Sequence, residues 1–161
     1  MNQYNVITDV QHGFRSKRSC NTQLISTIKD FSKALNFGEQ IDSILLDFSK
    51  AFDKVSHRKL CLKLNHYGVT ESTNKWIQNF LNDRTQSVVI NGSQSKWEKV
   101  TSGVPQGTVL GPLLFLVYIN DLPLHVNSNI KLFADDSYFY STIKSLEDTL
   151  ILQRDLDALS K

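Results

Sequence analysis

Three acidic residues occupy positions where carboxylates are costly unless they take part in chemistry. Asp47 ends the apolar run Ile44-Leu45-Leu46, and the pair Asp135-Asp136 lies between two apolar segments. Adjacent carboxylates repel each other, and a turn by itself would be served better by Asn-Gly or Asp-Gly. If a strand ending at Asp47 lies beside a hairpin carrying Asp135-Asp136, three carboxylates converge at one sheet edge. This cluster predicts a divalent cation site, because Mg²⁺ prefers oxygen ligands.

A pair of such ions roughly 3.5–4 Å apart can bind both the attacking and the leaving oxygen of a phosphoryl displacement. The spacing of these acids therefore indicates metal-assisted phosphoryl transfer. A solvated turn is the simpler interpretation of Asp135-Asp136 taken alone, and Asp47 could instead cap the segment 49–51.

Hydrophobic spacing predicts the elements that would position these acids. Helices are expected around the apolar positions, with Gly38 and Gly68 as C-terminal stops, Ser56 and Ser145 as caps, and Pro112 in a first turn. The Ile41–Phe48 segment reads as a strand buried on both faces. Hairpins are predicted at 86–101 around Asn91-Gly92 and at 130–141 with Asp135-Asp136 at the tip. The helical apolar positions are Leu24, Ile28, Phe31 and Leu35; Leu60 and Leu64; Trp76, Ile77, Phe80 and Leu81; Leu116 and Ile119; and Leu146, Leu150 and Leu156.

Composition excludes several classes of protein. A net charge of +2 does not by itself indicate a nucleic-acid binder, although 12–18 form a local basic run. Two distant cysteines, Cys20 and Cys61, give no zinc spacing and no disulfide framework. No apolar window approaches the ~18 residues of a membrane span, and the N-terminus does not resemble a signal peptide. We therefore expect an intracellular protein with reduced thiols. The alternation of predicted helices with strands and hairpins indicates an α+β fold.

Four segments of the chain, in this order, resemble the reverse transcriptases of non-LTR (LINE-type) retrotransposons. Together they extend over nearly the whole sequence, and their order makes the resemblance very specific. They are Gln11-His12-Gly13-Phe14-Arg15, Leu46-Asp47-Phe48-Ser49-Lys50-Ala51-Phe52-Asp53, Gly103-Val104-Pro105-Gln106-Gly107 with Leu110-Gly111-Pro112-Leu113-Leu114-Phe115, and Phe133-Ala134-Asp135-Asp136.

The resemblance implies an α+β right-hand polymerase fold, with an antiparallel palm sheet and interleaved fingers elements. By this likeness 1–37 and 70–104 are fingers-like, and 38–69 and 105–161 belong to the palm. The predicted last helix continues to Lys161. We therefore expect a fragment that lacks the downstream palm segment and the thumb.

The resemblance also implies the roles of individual residues. Asp47, Asp135 and Asp136 match the catalytic metal triad, with Asp47 and Asp135 as the main ligands and the carbonyl of Phe48 facing a metal. The implied cofactor is a pair of Mg²⁺ ions, for which Mn²⁺ substitutes. Phe52 matches the ring that excludes a 2′-hydroxyl, and Gln106-Gly107 matches the loop against nucleotide and template. The basic residues implied to contact the triphosphate are Arg15, Lys17 and Arg18.

The implied reaction is synthesis of DNA from dNTPs on an RNA template, with a DNA primer supplying the attacking 3′-hydroxyl. Such an enzyme would work inside the cell, in the nucleus during retrotransposition. Two alternatives stay open. One is an RNA-binding remnant without activity; the other is a Mg²⁺-dependent nuclease, for which His57 and His66 are the nearest candidate bases in the sequence.

Overall fold

The computed structural model describes residues 6–159, which form a mixed α+β fold. The described residues divide into two compact units. One contains the chain up to Ser49 together with the chain from Ile119 onward, and the other is Lys50–Tyr118. The elements are α1 (Cys20–Asn36), β1 (Gln40–Asp47), α2 (His57–His66), α3 (Glu71–Leu81), β2 (Thr85–Gln86), β3 (Val89–Ile90), β4 (Ser93–Gln94), β5 (Glu98–Lys99), α4 (Leu110–Ile119), a 3-10 helix (Leu122–His125), β6 (Asn129–Phe133), β7 (Asp136–Ile143) and α5 (Leu146–Leu159).

The sheet of the first unit has the order β1-β7-β6, and both of its pairings are antiparallel. The pairing of β1 with β7 runs in register from Gln40 opposite Ile143 to Asp47 opposite Asp136. The predicted strand is present, but the expectation that it is buried on both faces is wrong. Leu45 is 80% exposed, because β1 lies at the sheet edge and its side chains alternate between faces.

One face of this sheet carries the core of the first unit. Ile130 and Phe139 are register partners on β6 and β7, and Leu132 and Phe139 are completely buried. Leu152 of α5 packs into the same cluster. The alternation of the strands sends these apolar side chains to one face and sends Asp136 and Tyr138 to the other.

The C-terminal stop of α1 and the start of α5 lie where the sequence predicts them, whereas the cap at the start of α1 was not predicted. Ser19 and Thr22 form a reciprocal capping box at the start of α1, and Gly38 follows the helix with φ +68°. At the start of α5, the carboxylate of Asp148 accepts hydrogen bonds from the N–H and the hydroxyl of Ser145. The Lys144 amide also donates to this carboxylate, at 3.0 Å. The bond from Lys144, followed by the two from Ser145, lowers the pKa of Asp148.

The second unit is built on α2, α3 and α4. Leu60 and Leu64 of α2 and Leu81 of α3 are completely buried. The side chain of Ser56 caps α2, and Gly68 lies just beyond its end with φ +77°, as predicted. No helix within residues 6–159 has the length and apolar character needed to cross a membrane.

The predicted hairpin between residues 85 and 99 consists of two short pairings. Asn91 and Gly92 both have positive φ, at 50° and 81°, which is the geometry of a type I′ turn between β3 and β4. Thr85 pairs with Lys99, whereas Ile90 pairs with Ser93, so the register shifts by one residue between the pairings. The shift is a bulge, since 87–88 face the three residues 95–97.

Candidate active site

The acidic residues meet at the end of the pairing between β1 and β7. Asp47 and Asp136 are direct register partners, both exposed, on the sheet face opposite the apolar core. Directly opposite residues in a sheet have Cβ atoms roughly 5 Å apart. Asp135 precedes Asp136 and is half-buried. The strand end and the hairpin thus lie at one edge of the sheet, and the two carboxylates that face each other there are those of Asp47 and Asp136.

The hairpin tip differs by one residue from the sequence prediction. Phe133 and Asp136 form the last pair of β6 with β7, so the two turn residues are Ala134 and Asp135. Ala134 has φ +55°, in the left-handed region that non-glycine residues seldom adopt. The tip is therefore not Asp135-Asp136, because Asp136 already belongs to β7 and faces Asp47 across the strands.

A cleft of about 720 Å³ lies beside these acids within the first unit. Its walls are helix α1 and the sheet face that carries Asp47 and Asp136, and most of its lining is apolar. Leu45 forms part of the floor, while Leu24 and Ile28 of α1 stand more than half exposed on the opposite wall. The carboxylates thus border a space large enough to hold part of a small-molecule ligand.

Helix α1 is attached to this sheet face by a polar contact. The hydroxyl of Tyr140 donates to Asp30 at 2.5 Å, and the ammonium of Lys131 lies 3.5 Å from the same carboxylate. Burial and the Asp30 carboxylate raise the pKa of Tyr140, so its hydroxyl stays protonated as a donor. The ring of Phe31 packs edge-on against Tyr140 at 5.3 Å. These contacts fix one wall of the cleft.

The donor set suits a hard divalent cation. Within residues 6–159, no hydrogen bond or ion pair engages the carboxylates of Asp47, Asp135 and Asp136. Across the same part of the chain, no group of three or more acidic, histidine or cysteine side chains is gathered closely enough to hold a metal by itself. Mg²⁺ commonly takes only one or two protein carboxylates and fills its octahedron with phosphate oxygens and water. The facing pair fits that pattern.

The predicted triphosphate contacts lie on the segment before α1. The guanidinium of Arg15 donates to the carbonyl of Thr8 at 2.6 Å, and its side chain is 11% exposed. Arg18 donates to the carboxylate of Asp9 at 3.2 Å. Lys17 is exposed and has φ +63°. Arg15 thus holds backbone in place, while Lys17 presents its ammonium to solvent.

His12 lies among these basic side chains. Its ring nitrogens are within 3.0 Å of the Thr22 hydroxyl and 3.3 Å of the Arg18 guanidinium. Burial, followed by the charge of Arg18, lowers the pKa of His12, with smaller effects from Lys131 and Arg15. His12 thus bonds to Thr22 at the start of α1 and to the basic segment before it.

The predicted nucleotide-binding residues lie in the second unit. Phe52 is half-buried, and its ring stacks on Phe115 of α4 with centroids 4.2 Å apart and planes 20° from parallel. Phe115 itself is 2% exposed. The Phe52 ring is therefore supported from below by the core of its unit.

Gln106 and Gly107 lie on a loop bonded to the segment that follows Phe52. The amide of Gln106 donates to the carboxylate of Asp53 at 3.1 Å, and the N–H of Val104 donates to the carbonyl of Phe52 at 2.9 Å. Gly107 is exposed with φ +75°, a conformation that glycine adopts without strain. The structure thus brings Phe52 and Gln106 into one bonded assembly, although they are 54 positions apart in the sequence.

The two histidines weighed as nuclease bases also lie in the second unit. A ring nitrogen of His57 bonds the carbonyl of Gly103 at 2.8 Å, which ties α2 to the Gln106 loop. His66 packs edge-on against the ring of Tyr67 at 5.4 Å. Both histidines make contacts within their unit that account for their positions.

Sequence comparison identifies the class of protein to which this fold and site belong. The whole chain, residues 1–161, matches the family model described as reverse transcriptase (RNA-dependent DNA polymerase). The chain therefore belongs to the reverse transcriptase family and is a reverse transcriptase domain.

Curated relatives narrow this assignment to mobile elements. The chain is 32% identical over 164 residues to the RNA-directed DNA polymerase from mobile element jockey of Drosophila melanogaster, covering 96% of this chain and 18% of that protein. It is 32% identical to the Pol polyprotein of the R2 retrotransposable element of Popillia japonica, over 72% of this chain and 16% of the relative. The group II intron-encoded protein LtrA of Lactococcus lactis is 33% identical over 73% of this chain and 18% of its own length. The predicted resemblance to non-LTR elements is confirmed, and the chain spans less than a fifth of each of these relatives.

Proposed function

We propose that this chain is the catalytic core of an RNA-directed DNA polymerase, which extends a DNA primer with dNTPs on an RNA template. The observation that carries the proposal is the pairing of Asp47 with Asp136 beside an apolar cleft, in a chain of the reverse transcriptase family. Inside a retrotransposon this activity would serve copying of element RNA in the nucleus.

The right-hand architecture belongs to the same proposal. The antiparallel sheet that carries Asp47 and Asp136 corresponds to a palm, formed from 38–69 and 105–161. Residues 1–37 and 70–104 then provide fingers elements. The half-exposed apolar face of α1 and the exposed hairpin around Asn91 support an assignment of these segments to surfaces that meet substrate.

Asp47, Asp135 and Asp136 would hold the two Mg²⁺ ions, together with the carbonyl of Phe48. The bound ions would supply positive charge to the primer hydroxyl and to the phosphates of the dNTP. The protein's part is to hold these carboxylates on adjacent strands, where backbone pairing fixes their separation. Catalysis in such a site comes mainly from positioning and charge neutralisation.

Residues of the second unit would select the nucleotide. The ring of Phe52, backed by Phe115, would lie under the sugar of the incoming nucleotide and leave no room for a 2′-hydroxyl. Gln106, oriented by Asp53, would present its amide to the nucleotide and template, and Gly107 would allow close backbone approach. Selectivity for base sequence would come from pairing with the template.

The basic segment before α1 would meet the triphosphate. Lys17 is exposed and suited to direct contact with phosphate oxygens. Arg18 lies at the surface 3.2 Å from the carboxylate of Asp9, and its guanidinium would bind a phosphate oxygen in place of that carboxylate. Arg15 would contribute its charge while its guanidinium keeps the backbone bonds that shape the segment.

The test is primer extension on an RNA template with dNTPs and Mg²⁺. Two proteins are tested: this chain, and a chimera in which it replaces the matching segment of the jockey polymerase. Each is compared with its own double variant, which carries Asp135→Asn and Asp136→Asn. Extension by the wild type and its loss in the double variant are expected. A chimera that folds and binds RNA but adds no nucleotide would favour the RNA-binding remnant, and metal-dependent RNA cleavage would favour a nuclease.

A further inference from the structure

A buried glutamine bonds the turn that carries the acidic pair. Gln11 is 1% exposed, and a carboxamide is buried without penalty only when its polar atoms are bonded. Its Nε2 donates to the carbonyl of Ala134 at 3.2 Å, and its Oε1 accepts from the N–H of the same residue at 2.9 Å. The side chain therefore satisfies both backbone groups of one turn residue, as a neighbouring strand would.

The backbone around Gln11 pairs with β6 in the same way. The N–H of His12 donates to the carbonyl of Leu132 at 2.7 Å, and the N–H of Leu132 donates to the carbonyl of Val10 at 2.9 Å. These two bonds form a parallel bridge between Gln11 and Leu132. The Gln11 side chain extends this pairing past the end of β6, from Leu132 to Ala134.

Gly13 completes the contact because it has no side chain. A Cβ atom there would lie 2.3 Å from the nitrogen of Ala134, closer than atoms can approach, and 3.0 Å from its Cα. The N–H of Gly13 also donates to Oε1 of Gln11 at 2.7 Å. Glycine is therefore required here by the proximity of the turn, and its own φ is not in the left-handed region.

The turn held in this way is strained. Ala134 has φ +55°, a conformation that persists in a non-glycine residue only where the surroundings impose it. The two residues that follow are Asp135 and Asp136, so a change in the turn would redirect both carboxylates. The bonds from Gln11 and the close approach of Gly13 are the contacts that impose the turn geometry.

We propose that Gln11 and Gly13 are positioning residues, which fix the turn so that Asp135 and Asp136 face Asp47 in a geometry that binds metal. The inference rests on the proposed polymerase function for its role in catalysis, but its structural part can be measured without activity. Neither residue touches substrate in this scheme. Groups that orient metal ligands typically change metal affinity or activity by about 10–100-fold when they are removed.

The experiment compares Gln11→Met and Gly13→Ala with the wild-type chain. Methionine matches the size of glutamine but cannot bond to Ala134 or Gly13. Asn74→Leu is the matched control, because Asn74 is a buried carboxamide, 2% exposed, that donates to the carbonyl of Cys61 in the second unit. Three quantities are measured for each protein: Mn²⁺ affinity by titration calorimetry, hydrogen exchange of the Ala134 amide, and the kcat and KM of primer extension.

We expect Gln11→Met and Gly13→Ala to weaken Mn²⁺ binding about 10-fold or more, to speed exchange of the Ala134 amide and to lower kcat with little change in the KM for dNTP. Asn74→Leu should lower stability without these effects. Wild-type Mn²⁺ affinity and Ala134 protection in a folded Gln11→Met chain would overturn the inference. If Gln11→Met does not fold, Gln11→Asn is used, since its amide stays polar but falls one methylene short of Ala134.

The outcomes for the two proposals are separable. If the wild-type chain binds Mn²⁺ but extends no primer, the proposed polymerase function is overturned. Weaker Mn²⁺ binding by Gln11→Met would in that case still support the positioning role. A wild-type chain that binds no Mn²⁺ would overturn both. If the wild type extends a primer and kcat is unchanged in both Gln11→Met and Gly13→Ala, the polymerase function is supported and the positioning role is overturned.

Discussion

Asp47 lies directly opposite Asp136 in the antiparallel pairing of β1 with β7, with both side chains exposed on the same sheet face. Like charges at directly opposite positions of a sheet destabilise it. No cationic side chain within the described chain pairs with either carboxylate. The protein therefore holds an unfavourable charge pair at this sheet end, and a bound cation is the means by which the repulsion would be relieved.

Removal of one charge should stabilise the metal-free protein. We expect Asp136→Asn to raise the free energy of unfolding by about 0.2–1 kcal/mol in the absence of divalent ions, because the cross-strand repulsion is lost. Urea denaturation in a chelating buffer measures this. In Mg²⁺ the wild type should be the more stable of the two proteins, since only its folded state gains free energy from binding the ion.

The control for this prediction is Asp42→Asn. Asp42 lies on the same strand and accepts a hydrogen bond from Gln40 at 2.8 Å. Its register partner is Ser141, so it faces no like charge across the strands. Asp42→Asn should not raise the free energy of unfolding in the chelating buffer. It should also leave the stabilisation by Mg²⁺ unchanged. If Asp42→Asn raised the free energy of unfolding as much as Asp136→Asn does, repulsion between Asp47 and Asp136 would not explain the effect.

The ring of Phe52 should decide the choice between deoxynucleotides and ribonucleotides. We expect Phe52→Val to raise incorporation of rNTPs relative to dNTPs by about 10-fold or more, because the space under the sugar opens. Loss of stacking on Phe115 should also cost stability, about 0.5–1.5 kcal/mol. Single-nucleotide primer extension with each substrate measures the ratio of kcat/KM values.

Phe115→Leu is the matched variant for Phe52. It removes the same stacked pair, but it leaves the Phe52 ring in the chain. Discrimination against rNTPs should fall less in Phe115→Leu than in Phe52→Val. Equal losses in the two variants would mean that the stack, and not the Phe52 ring itself, sets the selection.

Local sequence patterns predicted most of the helices and turns. The apolar spacing of α1 and α2, their glycine stops and the Asn91-Gly92 turn depend on neighbours in sequence, which a sequence shows directly. The facing of Asp47 and Asp136 followed from family motifs and a sheet argument. These features share one property: each is determined within a few residues or by a pattern that recurs in the family.

The errors have tertiary causes. Leu45 belongs to an apolar run that reads as fully buried, but the edge position of β1 leaves it 80% exposed. The hairpin tip lies one residue earlier than the sequence predicts, because the left-handed conformation of Ala134 is imposed by Gln11, 123 positions away. In the sequence, Gln11 and Gly13 belong to a motif whose pattern does not indicate this contact. Their contact with the turn has no local sequence signal, since it depends on how 10–13 lie against β6.

Gly103 should be intolerant of any side chain. Its φ is +86°, and a Cβ atom would lie 2.7 Å from the carbonyl oxygen of Asp53. We expect Gly103→Ala to lower the free energy of unfolding by at least about 1–3 kcal/mol, from the left-handed conformation and the clash. Thermal unfolding measures this loss. Gly92→Ala is the control, because Gly92 has φ +81° but, apart from its own chain neighbours, no atom of the described residues lies within 4 Å of the place its Cβ would take. The difference between the two variants therefore isolates the contact with Asp53.

The same Gly103 substitution tests whether the Gln106 loop and the Phe52 segment act together. Gly103 donates its N–H to the carbonyl of Val55, and Ser102 donates to the carbonyl of Asp53. Displacement of the loop should therefore disturb Phe52 as well as Gln106. We expect Gly103→Ala to raise the KM for dNTP and to relax rNTP exclusion together. A rise in KM with unchanged discrimination would show that the two motifs act independently.

Asp155 should determine part of the response to acid. The carboxylate is 3% exposed, and burial opposes its charge, but hydrogen bonds from Ser128 and Asn127 outweigh burial and lower its pKa below the ordinary 3.8. The unfolded chain takes up this proton near pH 3.8, whereas the folded chain resists it, so the unfolded state binds more protons in between. The stabilisation is fully present above pH 3.8 and is lost as pH falls through the lower folded pKa.

Asp155→Asn should therefore be less stable than the wild type at neutral pH, by about 1.5–3 kcal/mol for the lost charged hydrogen bonds. The difference should shrink as the pH falls below 3.8, because the wild type loses the same bonds when Asp155 is protonated. Urea denaturation at a series of pH values measures this convergence. Asp157→Asn, which removes an exposed carboxylate bonded to Gln153 on the same helix, should cost much less stability at neutral pH than Asp155→Asn. A constant gap between Asp155→Asn and the wild type from neutral pH to about pH 3 would show that the Asp155 charge does not stabilise the turn before β6.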